Sequence, residues 1–293
     1  MIEALSRNAR RVPWLASSVR AIRAAARRAV QRVEATVQRG RERRRLVSFH
    51  DRHRGERCFV IGNGPSLRGV DLSPLADETT FVTNHFYFHP QLAVLGPSYY
   101  CISDLWFFDS KAHADWQADL QRVPRGTTFF FPIELKRRIR SSAIGVRPDV
   151  HYLRCDRTRE IWRTGAMNVD ASGILATGDT VVLDFCLPLA HFMGFTEVIL
   201  LGCDTDMGSG EEGAHFYETR TPSRSSTYHR DVWVDNVTRS YAAAARVFES
   251  TGRRILNATV GGRLDVFTRV SLKNVLAQPL AGESTARPRR EGR

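Results

Sequence analysis

The chain has 293 residues, of which 42% are hydrophobic and 25% are charged, so it can bury a core and is neither collagen-like, nor low-complexity, nor a disulfide-stapled miniprotein. Its formal net charge is +12, but residues 1–57 hold 16 arginines against 5 acidic residues, whereas residues 58–280 carry a net charge of −1. A body of nearly zero charge argues against nucleic-acid binding, which requires a basic patch on the binding surface.

A basic amphipathic helix is predicted first along the chain. Between Leu15 and Val37, apolar residues recur three or four positions apart, and arginines flank this apolar stripe. Because such a helix can lie on an anionic membrane surface, we predict that residues 1–54 form an Arg-rich helical arm and that residues 15–45 bind the inner leaflet. A coiled-coil or homo-oligomer helix, and a helix packed on its own domain, are the alternatives.

The cysteines and the hydropathy pattern predict a cytoplasmic protein. The five cysteines lack C-x-x-C spacing, and no Cys/His pair has the spacing of zinc ligands. The most apolar stretch, residues 180–202, is interrupted by Asp184, Pro188, His191 and Glu197, so it is not a membrane span. No uncharged segment with a cleavage site follows the N-terminus. We therefore expect a cytoplasmic chain that its arm attaches to the cytoplasmic membrane face.

Residues 55–275 are predicted to form a Rossmann-like, doubly wound α/β domain with a mostly parallel sheet. Short apolar runs that close on Gly, Asn or Asp alternate with helical patterns, and this architecture places ligands at the carboxyl ends of the strands. The predicted strands are Cys58–Ile61, Thr80–Thr83, Tyr99–Ser103, Thr127–Phe131, His151–Arg154, Glu197–Leu201 and Arg254–Leu256. The predicted helices cover about 111–122, 179–193 and 235–251. Residues 276–293 are predicted to be a disordered tail.

Polar residues follow four of the predicted strands. The first strand runs into Gly62-Asn63-Gly64-Pro65-Ser66, where two glycines permit a positive φ and a close approach of backbone N–H groups to an anion. This loop has neither the G-x-G-x-x-G nor the P-loop fingerprint. Asn84 follows the second strand, Ser103 and Asp104 follow the third, and Asp204 follows the late apolar strand. These residues form the candidate site, with tight turns and caps as the alternative use of such residues.

Several motifs between residues 56 and 272 resemble two related families. The strand followed by G-N-G-P-S-L (from Gly62), then D-L-S-x-L (from Asp71) and an Asn before F-Y-F, resembles the bacterial sialyltransferases of glycosyltransferase family 42. The same motifs are similar to the group named after the 6-hydroxymethylpterin diphosphokinase MptE, which includes motility-associated glycosyltransferases. M-G-F-T-E-V-I-L-L-G-C-D (from Met193) and N-A-T-V-G-G-R-L-D-V-F (from Asn257) resemble the MptE-like group more closely.

The sialyltransferase resemblance implies a nucleotide-sugar-dependent glycosyltransferase of CMP-sialic-acid type that acts on a surface glycan and requires no cofactor. It implies a general base at His229 with catalytic tyrosines at Tyr217 and Tyr228, while His215 competes for the role of base. The nucleotide-binding residues that follow from it and from the strand ends are Gly62, Asn63, Gly64, Ser66, Asn84, Ser103, Asp104, Thr177, Gly178 and Asp204. The sialyltransferases carry an Asn where this chain has Ser103-Asp104, which leaves the nucleotide open.

The MptE-like resemblance implies a second enzymatic hypothesis. Diphosphate would pass from ATP to a 6-hydroxymethylpterin, with Mg²⁺ held by Asp104, Asp204 and Asp206. A catalytically silent nucleotide-binding protein is the third hypothesis, because no carboxylate pair or nucleophile triad is evident. Metal dependence separates the first two hypotheses, since a leaving nucleoside monophosphate does not require a metal.

Overall fold

The computed structural model describes residues 40–105, 116–205, 215–217 and 227–278. The chain divides into two units, Met1–Arg45 and Leu46–Arg293. In the first unit, residues 40–45 are described and are helical. The rest of the predicted membrane-binding arm and residues 279–293 of the predicted tail lie outside the described residues.

The second unit starts earlier than the predicted domain boundary. Leu46 and Phe49 are each 3% exposed and belong to the hydrophobic core of this unit. The Phe49 ring packs against Phe130 and His151, with ring centroids 5.4 and 4.8 Å away. Residues 46–54, which the sequence pattern assigned to the arm, therefore belong to the body.

The body is an α/β domain with a Rossmann-like sheet of eight strands, in the order β10-β9-β8-β1-β2-β3-β4-β5. Every neighbouring pair in this sheet is parallel. A separate parallel pair is formed by β6 and β7. The strands are β1 (Arg57–Ile61), β2 (Thr80–Thr83), β3 (Tyr99–Cys101), β4 (Thr128–Pro132), β5 (Val150–Leu153), β6 (Cys155–Glu160), β7 (Leu175–Thr177), β8 (Glu197–Leu201), β9 (Arg254–Asn257) and β10 (Thr268–Arg269).

Helices cover both faces of the sheet. The α-helices of the body are α1 (Leu92–Leu95), α2 (Trp116–Gln121), α3 (Lys136–Arg140), α4 (Ile161–Thr164), α5 (Leu187–Phe192), α6 (Thr227–Ser250) and α7 (Leu272–Leu276). In β1, Cys58 and Val60 belong to a hydrophobic cluster with α5 and α6, whereas Phe59 and Ile61 belong to one with α1, α2 and α7. This alternation explains why the strands are apolar at almost every position.

The predicted elements agree with the observed ones where the strands are apolar. Two predicted strands, Thr80–Thr83 and Glu197–Leu201, match the observed ends, and the other five differ by one or two residues at one or both ends. The strands β6, β7 and β10 were not predicted, because β6 reads CDRTRE and the other two are only two or three residues long. The predicted helix at 235–251 starts earlier, at Thr227.

A π-helical turn, Val182–Cys186, precedes α5. Pro188 lies in the first turn of α5, lacks an N–H group, and would clash in a regular helix with the carbonyl of Asp184 four residues earlier. The wider π turn accommodates the proline within a continuous helix and fixes the position of Asp184.

The loops after β1 and β8 pair with each other at the point where the strand order reverses. The Gly62 N–H donates to the Leu201 carbonyl and the Gly64 N–H donates to the Gly202 carbonyl, both at 2.8 Å. A Cβ atom on Gly62 would lie 2.4 Å from the Gly202 carbonyl oxygen, and one on Gly64 would lie 1.6 Å from Asp204 Oδ2. The glycines are therefore required by close contact between loops.

This contact corrects the predicted reason for the two glycines. Gly64 has a φ of −64°, and Gly62 is not among the residues with positive φ. Their N–H groups pair with the protein's own carbonyls, so they are not directed at an anion.

We expect Gly64→Ala to lower the free energy of unfolding by about 2–3 kcal/mol, because the added methyl group displaces the Asp204 carboxylate. Urea denaturation measures the change. Gly126→Ala is the matched control, because Gly126 is exposed and a Cβ there meets no atom within 4 Å. Equal stability of the two variants would contradict the close contact between the loops.

Candidate functional site

A cleft of about 240 Å³ opens at the carboxyl ends of β1, β2 and β8. It lies at the reversal of strand order, which is where α/β sheets of this kind bind ligands. Residues 180–182 form another wall, at the start of the continuous helix that includes the π turn and α5. One side of α6 completes the cleft. Its polar side chains include Asn63, Thr83, Asn84, Asp179, Asp204 and His215.

Two asparagine side chains in the cleft have buried oxygens, Asn63 Oδ1 and Asn84 Oδ1, to which no described residue donates a hydrogen bond. The orientation of the Asn63 amide is determined by its nitrogen, which donates to the Thr83 carbonyl at 2.9 Å. Its oxygen must therefore be the group that faces away from Thr83. A buried polar atom without a partner is costly, so both oxygens point to a ligand that donates hydrogen bonds.

Asn84 is held in an unusual backbone conformation. Its φ is 41°, in the left-handed region that asparagine tolerates better than most residues. The hydroxyl of Tyr100, on β3, donates to the Asn84 carbonyl at 2.6 Å and accepts from the Tyr87 N–H at 3.0 Å. Tyr100 thus braces the 3₁₀ turn Asn84–Phe88 against the neighbouring strand.

Asp204 occupies the position that the sequence suggested for a phosphate. Its carboxylate accepts from the Ser66 N–H at 3.1 Å and from the Ser66 hydroxyl at 2.7 Å. Ser66 lies in the 3₁₀ turn Pro65–Leu67. The donors of this turn are therefore engaged by an internal carboxylate.

The segment 215–217 lies over the loop that follows β1. The Phe216 N–H donates to the Asn63 carbonyl at 3.0 Å, and the His215 carbonyl accepts from the Arg68 side chain at 2.8 Å. Burial lowers the pKa of His215, while a hydrogen bond from its ring to the Asn63 backbone opposes that change. The imidazole in the cleft is therefore neutral at neutral pH and can accept a proton.

A helix N-terminus forms another wall of the cleft. The Thr180 hydroxyl caps the helix by accepting from the Leu183 N–H at 3.3 Å. Val181 and Val182 follow it and line the cleft, and N–H groups of a first helical turn have no partner within the helix. No Lys or Arg occurs among the described residues of the lining. Burial, and secondarily Glu160, raises the pKa of Asp179, which has a positive φ of 64°.

Asp184 is 3% exposed and lies beneath this helix start. Its carboxylate accepts from the Gly178 N–H at 2.8 Å and the Thr177 hydroxyl at 3.0 Å. Burial raises its pKa to about 6, while hydrogen bonds from Gly178, Ser103 and Thr177 and the charge of Arg157 oppose the rise. Asp184 therefore joins the end of β3 to the loop after β7.

The structure brings half of the predicted nucleotide-binding residues into the cleft. These are Gly62, Asn63, Gly64, Asn84 and Asp204. The other five do not line it. Ser66 bonds to Asp204, Ser103, Thr177 and Gly178 bond to Asp184, and Asp104 follows β3 on the side away from β1.

Of the three predicted catalytic residues, Tyr217 has a described side chain. The Tyr217 hydroxyl lies 3.1 Å from His85 Nδ1 and outside the cleft lining, and burial raises the pKa of Tyr217. Tyr228 and His229 lie in the first turn of α6, and their side chains are outside the described part of the chain. Of the two candidate bases, His215 is the one that the described residues place in the cleft.

Sequence reasoning did not identify Tyr100, Thr180 or Asp184 as residues of the site. Tyr100 lies in an apolar run that reads as core. Asp184 is a charged residue in an otherwise apolar stretch, and this signal served only to exclude a membrane span. A charged residue in an apolar stretch could have been read as an indication of a site, in addition to the polar residues at the strand ends.

Two of the three predicted magnesium ligands, Asp104 and Asp204, belong to the described part of the chain. No group of three or more His, Cys, Asp or Glu side chains there is placed to hold a metal ion. Both oxygens of Asp204 accept from Ser66, Asp104 lies outside the cleft lining, and Asp206 is outside the described residues.

Two larger clefts lie elsewhere on the body. One, of about 430 Å³, adjoins Gly202 on its other side, and its Arg269 donates to the Thr259 and Gly261 carbonyls. The other, of about 520 Å³, lies at the amino ends of β4 and β5, where Arg147 is paired with Asp149. In both clefts an arginine is bonded to the protein's own groups, and neither cleft is lined by Asn63 or Asn84. The smaller cleft is therefore the better candidate.

Comparison of the chain with protein-family models, curated proteins and solved structures finds no match. Within the described ranges, no helix has both the length and the apolar character needed to cross a membrane.

We expect the stability of the protein to depend on pH through Asp184. Its pKa is about 6 in the folded state and 3.8 in the reference state, so its stabilising protonation is fully present below 3.8 and is lost as the pH rises through about 6. The free energy of unfolding of wild type relative to Asp184→Asn should fall by about 3 kcal/mol over this range. Urea denaturation between about pH 3.5 and 7 measures the difference.

Asp265→Asn, at a carboxylate that is 79% exposed, is the control and should run parallel to wild type. Parallel curves for wild type and Asp184→Asn would show instead that the buried carboxylate has an ordinary pKa.

Proposed function

We propose that the protein is a nucleotide-sugar-dependent glycosyltransferase whose donor is a CMP-linked sugar of sialic-acid type. The observation that carries the proposal is the pair of buried amide oxygens, Asn63 Oδ1 and Asn84 Oδ1, in a cleft at the strand-order reversal. The ribose hydroxyls and the amino group of cytosine are donors that can satisfy these two acceptors. The family resemblance of the same loops supports this assignment.

The electrostatics of the cleft favour a donor with one phosphate. The described lining lacks Lys and Arg and contains Asp179 and Asp204, so a pyrophosphate would bring more negative charge beside two carboxylates. A single phosphate can be held by the N–H groups of Val181 and Val182 at the helix N-terminus and by nearby hydroxyls. These neutral donors suit a body with almost no net charge.

His215 is the general base in this proposal. Its neutral imidazole takes the proton from an acceptor hydroxyl while that oxygen forms a bond to the anomeric carbon of the donor sugar. The bond from the anomeric carbon to the phosphate oxygen breaks, and its electron pair leaves with CMP. The N–H groups at the helix start stabilise the phosphate charge that develops.

The proposal extends to where the reaction occurs. An Arg-rich helix at residues 15–45 would hold the enzyme at the inner leaflet, where surface glycans are assembled. The diphosphokinase hypothesis has less support, because the described lining has no Lys or Arg to offset the charge of a triphosphate beside Asp179 and Asp204.

We expect CMP to raise the melting temperature of the protein without Mg²⁺, in a thermal-shift panel of CMP, UDP, GDP and ATP with and without the metal. Asn84→Gly should abolish the shift, because it removes the amide while glycine keeps the left-handed backbone. Asp51→Gly is the matched control, since Asp51 has a φ of 52° and precedes β1, at the opposite edge of the sheet. A response to ATP alone that requires Mg²⁺ would replace the proposal by the diphosphokinase.

We expect His215→Ala to reduce the release of CMP from CMP-sialic acid by about 10²–10⁴-fold, because it removes the proton acceptor. Its affinity for CMP should stay within about threefold of wild type, since a residue that acts on the acceptor hydroxyl contributes little to nucleotide binding. His229→Ala is the comparison variant and should retain turnover. Loss of turnover in His229→Ala with an active His215→Ala would assign the base to His229.

A further inference from the structure

Phe88 is the only aromatic residue among the large hydrophobic side chains that are exposed in the described part of the chain. It is 42% exposed, whereas the preceding Phe86 and Tyr87 are buried. All three belong to the 3₁₀ turn that begins with Asn84, which lines the cleft. The turn therefore buries two rings and presents the third to solvent beside the cleft.

Phe88 is the outer member of an aromatic row that consists of His215, Tyr217 and Phe88. The His215 and Tyr217 rings are stacked, with centroids 5.0 Å apart and planes inclined by 11°. The Tyr217 and Phe88 centroids are 5.4 Å apart. The contact of the Tyr217 hydroxyl with His85 Nδ1, at 3.1 Å, holds the middle ring against the turn. The row thus extends from the cleft to an exposed ring.

The aromatic row leads away from the proposed base. His215 lines the cleft, whereas Tyr217 and Phe88 lie outside its lining. The acceptor hydroxyl must reach His215, where the aromatic row begins. The remaining rings of the row therefore lie beside the path along which the acceptor approaches the base.

We propose that Tyr217 and Phe88 form the acceptor subsite and that the apolar face of a neutral hexopyranose ring packs on Phe88. A pyranose has C–H groups on one face and hydroxyls around its edge, so an aromatic ring can bury the face while the hydroxyls stay hydrated. Neither Tyr217 nor Phe88 offers a positive charge, and the carboxylate of Asp104 lies close enough to raise the pKa of Tyr217 beyond the effect of burial, so the row favours a neutral sugar over an anionic one. This inference rests on the glycosyltransferase function proposed above.

The test measures sugar binding by saturation-transfer NMR on the full chain saturated with CMP, with lactose, maltotriose and chitotriose as probes. At least one probe should bind wild type. Phe88→Ala should weaken its binding by at least about fivefold, while Phe88→Trp should stay within about twofold because it keeps an aromatic face. Val94→Ala is the control for loss of an exposed apolar side chain, since Val94 is 58% exposed on α1, and it should bind as wild type.

The outcomes separate this inference from the function on which it rests. Failure of wild type to bind CMP would overturn the glycosyltransferase proposal before any sugar is added. With CMP binding intact, failure of all three sugars to bind, or equal sugar affinity in wild type and Phe88→Ala, overturns the acceptor subsite alone. A loss of CMP affinity in Phe88→Ala would also overturn it, by showing that the ring stacks on the nucleobase.

Discussion

The contact between the loops after β1 and β8 is the constraint on which the candidate site depends. Gly62 and Gly64 pair with the Leu201 and Gly202 carbonyls, and no side chain fits between the two loops. The contact brings Asp204 onto the 3₁₀ turn Pro65–Leu67, where its carboxylate accepts hydrogen bonds from the N–H and the hydroxyl of Ser66. The protein therefore supplies its own anion at this turn, and the phosphate of the proposed donor would have to be held elsewhere.

The neutral donors of the cleft follow from the same arrangement. With Asp204 fixed at one wall and Asp179 at another, a Lys or Arg in the lining would pair with a carboxylate in preference to a ligand. The described lining instead offers hydroxyls and the start of a helix as donors, and amide oxygens as acceptors. This agrees with the charge partition of the chain, in which the excess of arginine lies in residues 1–57 and the body is nearly neutral.

The sequence predicted the sheet well because buried parallel strands have a clear pattern, and it predicted the strand-end residues because turns after such strands need Gly, Asn and Asp. Gly62, Asn63 and Asn84 were found in this way. The strand β6 was missed because it reads CDRTRE, which has no alternation of apolar residues, and it pairs only with β7. The roles of Tyr100 and Asp184 depend on contacts with Asn84 and Ser103, which belong to other segments of the chain and to no local pattern.

Asp184 shows how a buried carboxylate can support the site although burial disfavours its charge. Burial penalises its charge, yet the carboxylate collects donors from the end of β3 and from the loop after β7, and so fixes the start of the helix that lines the cleft. A neutral apolar residue would pack at lower cost but would leave the Gly178 N–H and the Thr177 hydroxyl without an acceptor. Because Val181 and Val182 follow directly from these bonded residues, the direction of their N–H groups depends on the same carboxylate. The N–H groups that are proposed to hold the phosphate are thus positioned by the Asp184 carboxylate, which does not line the cleft.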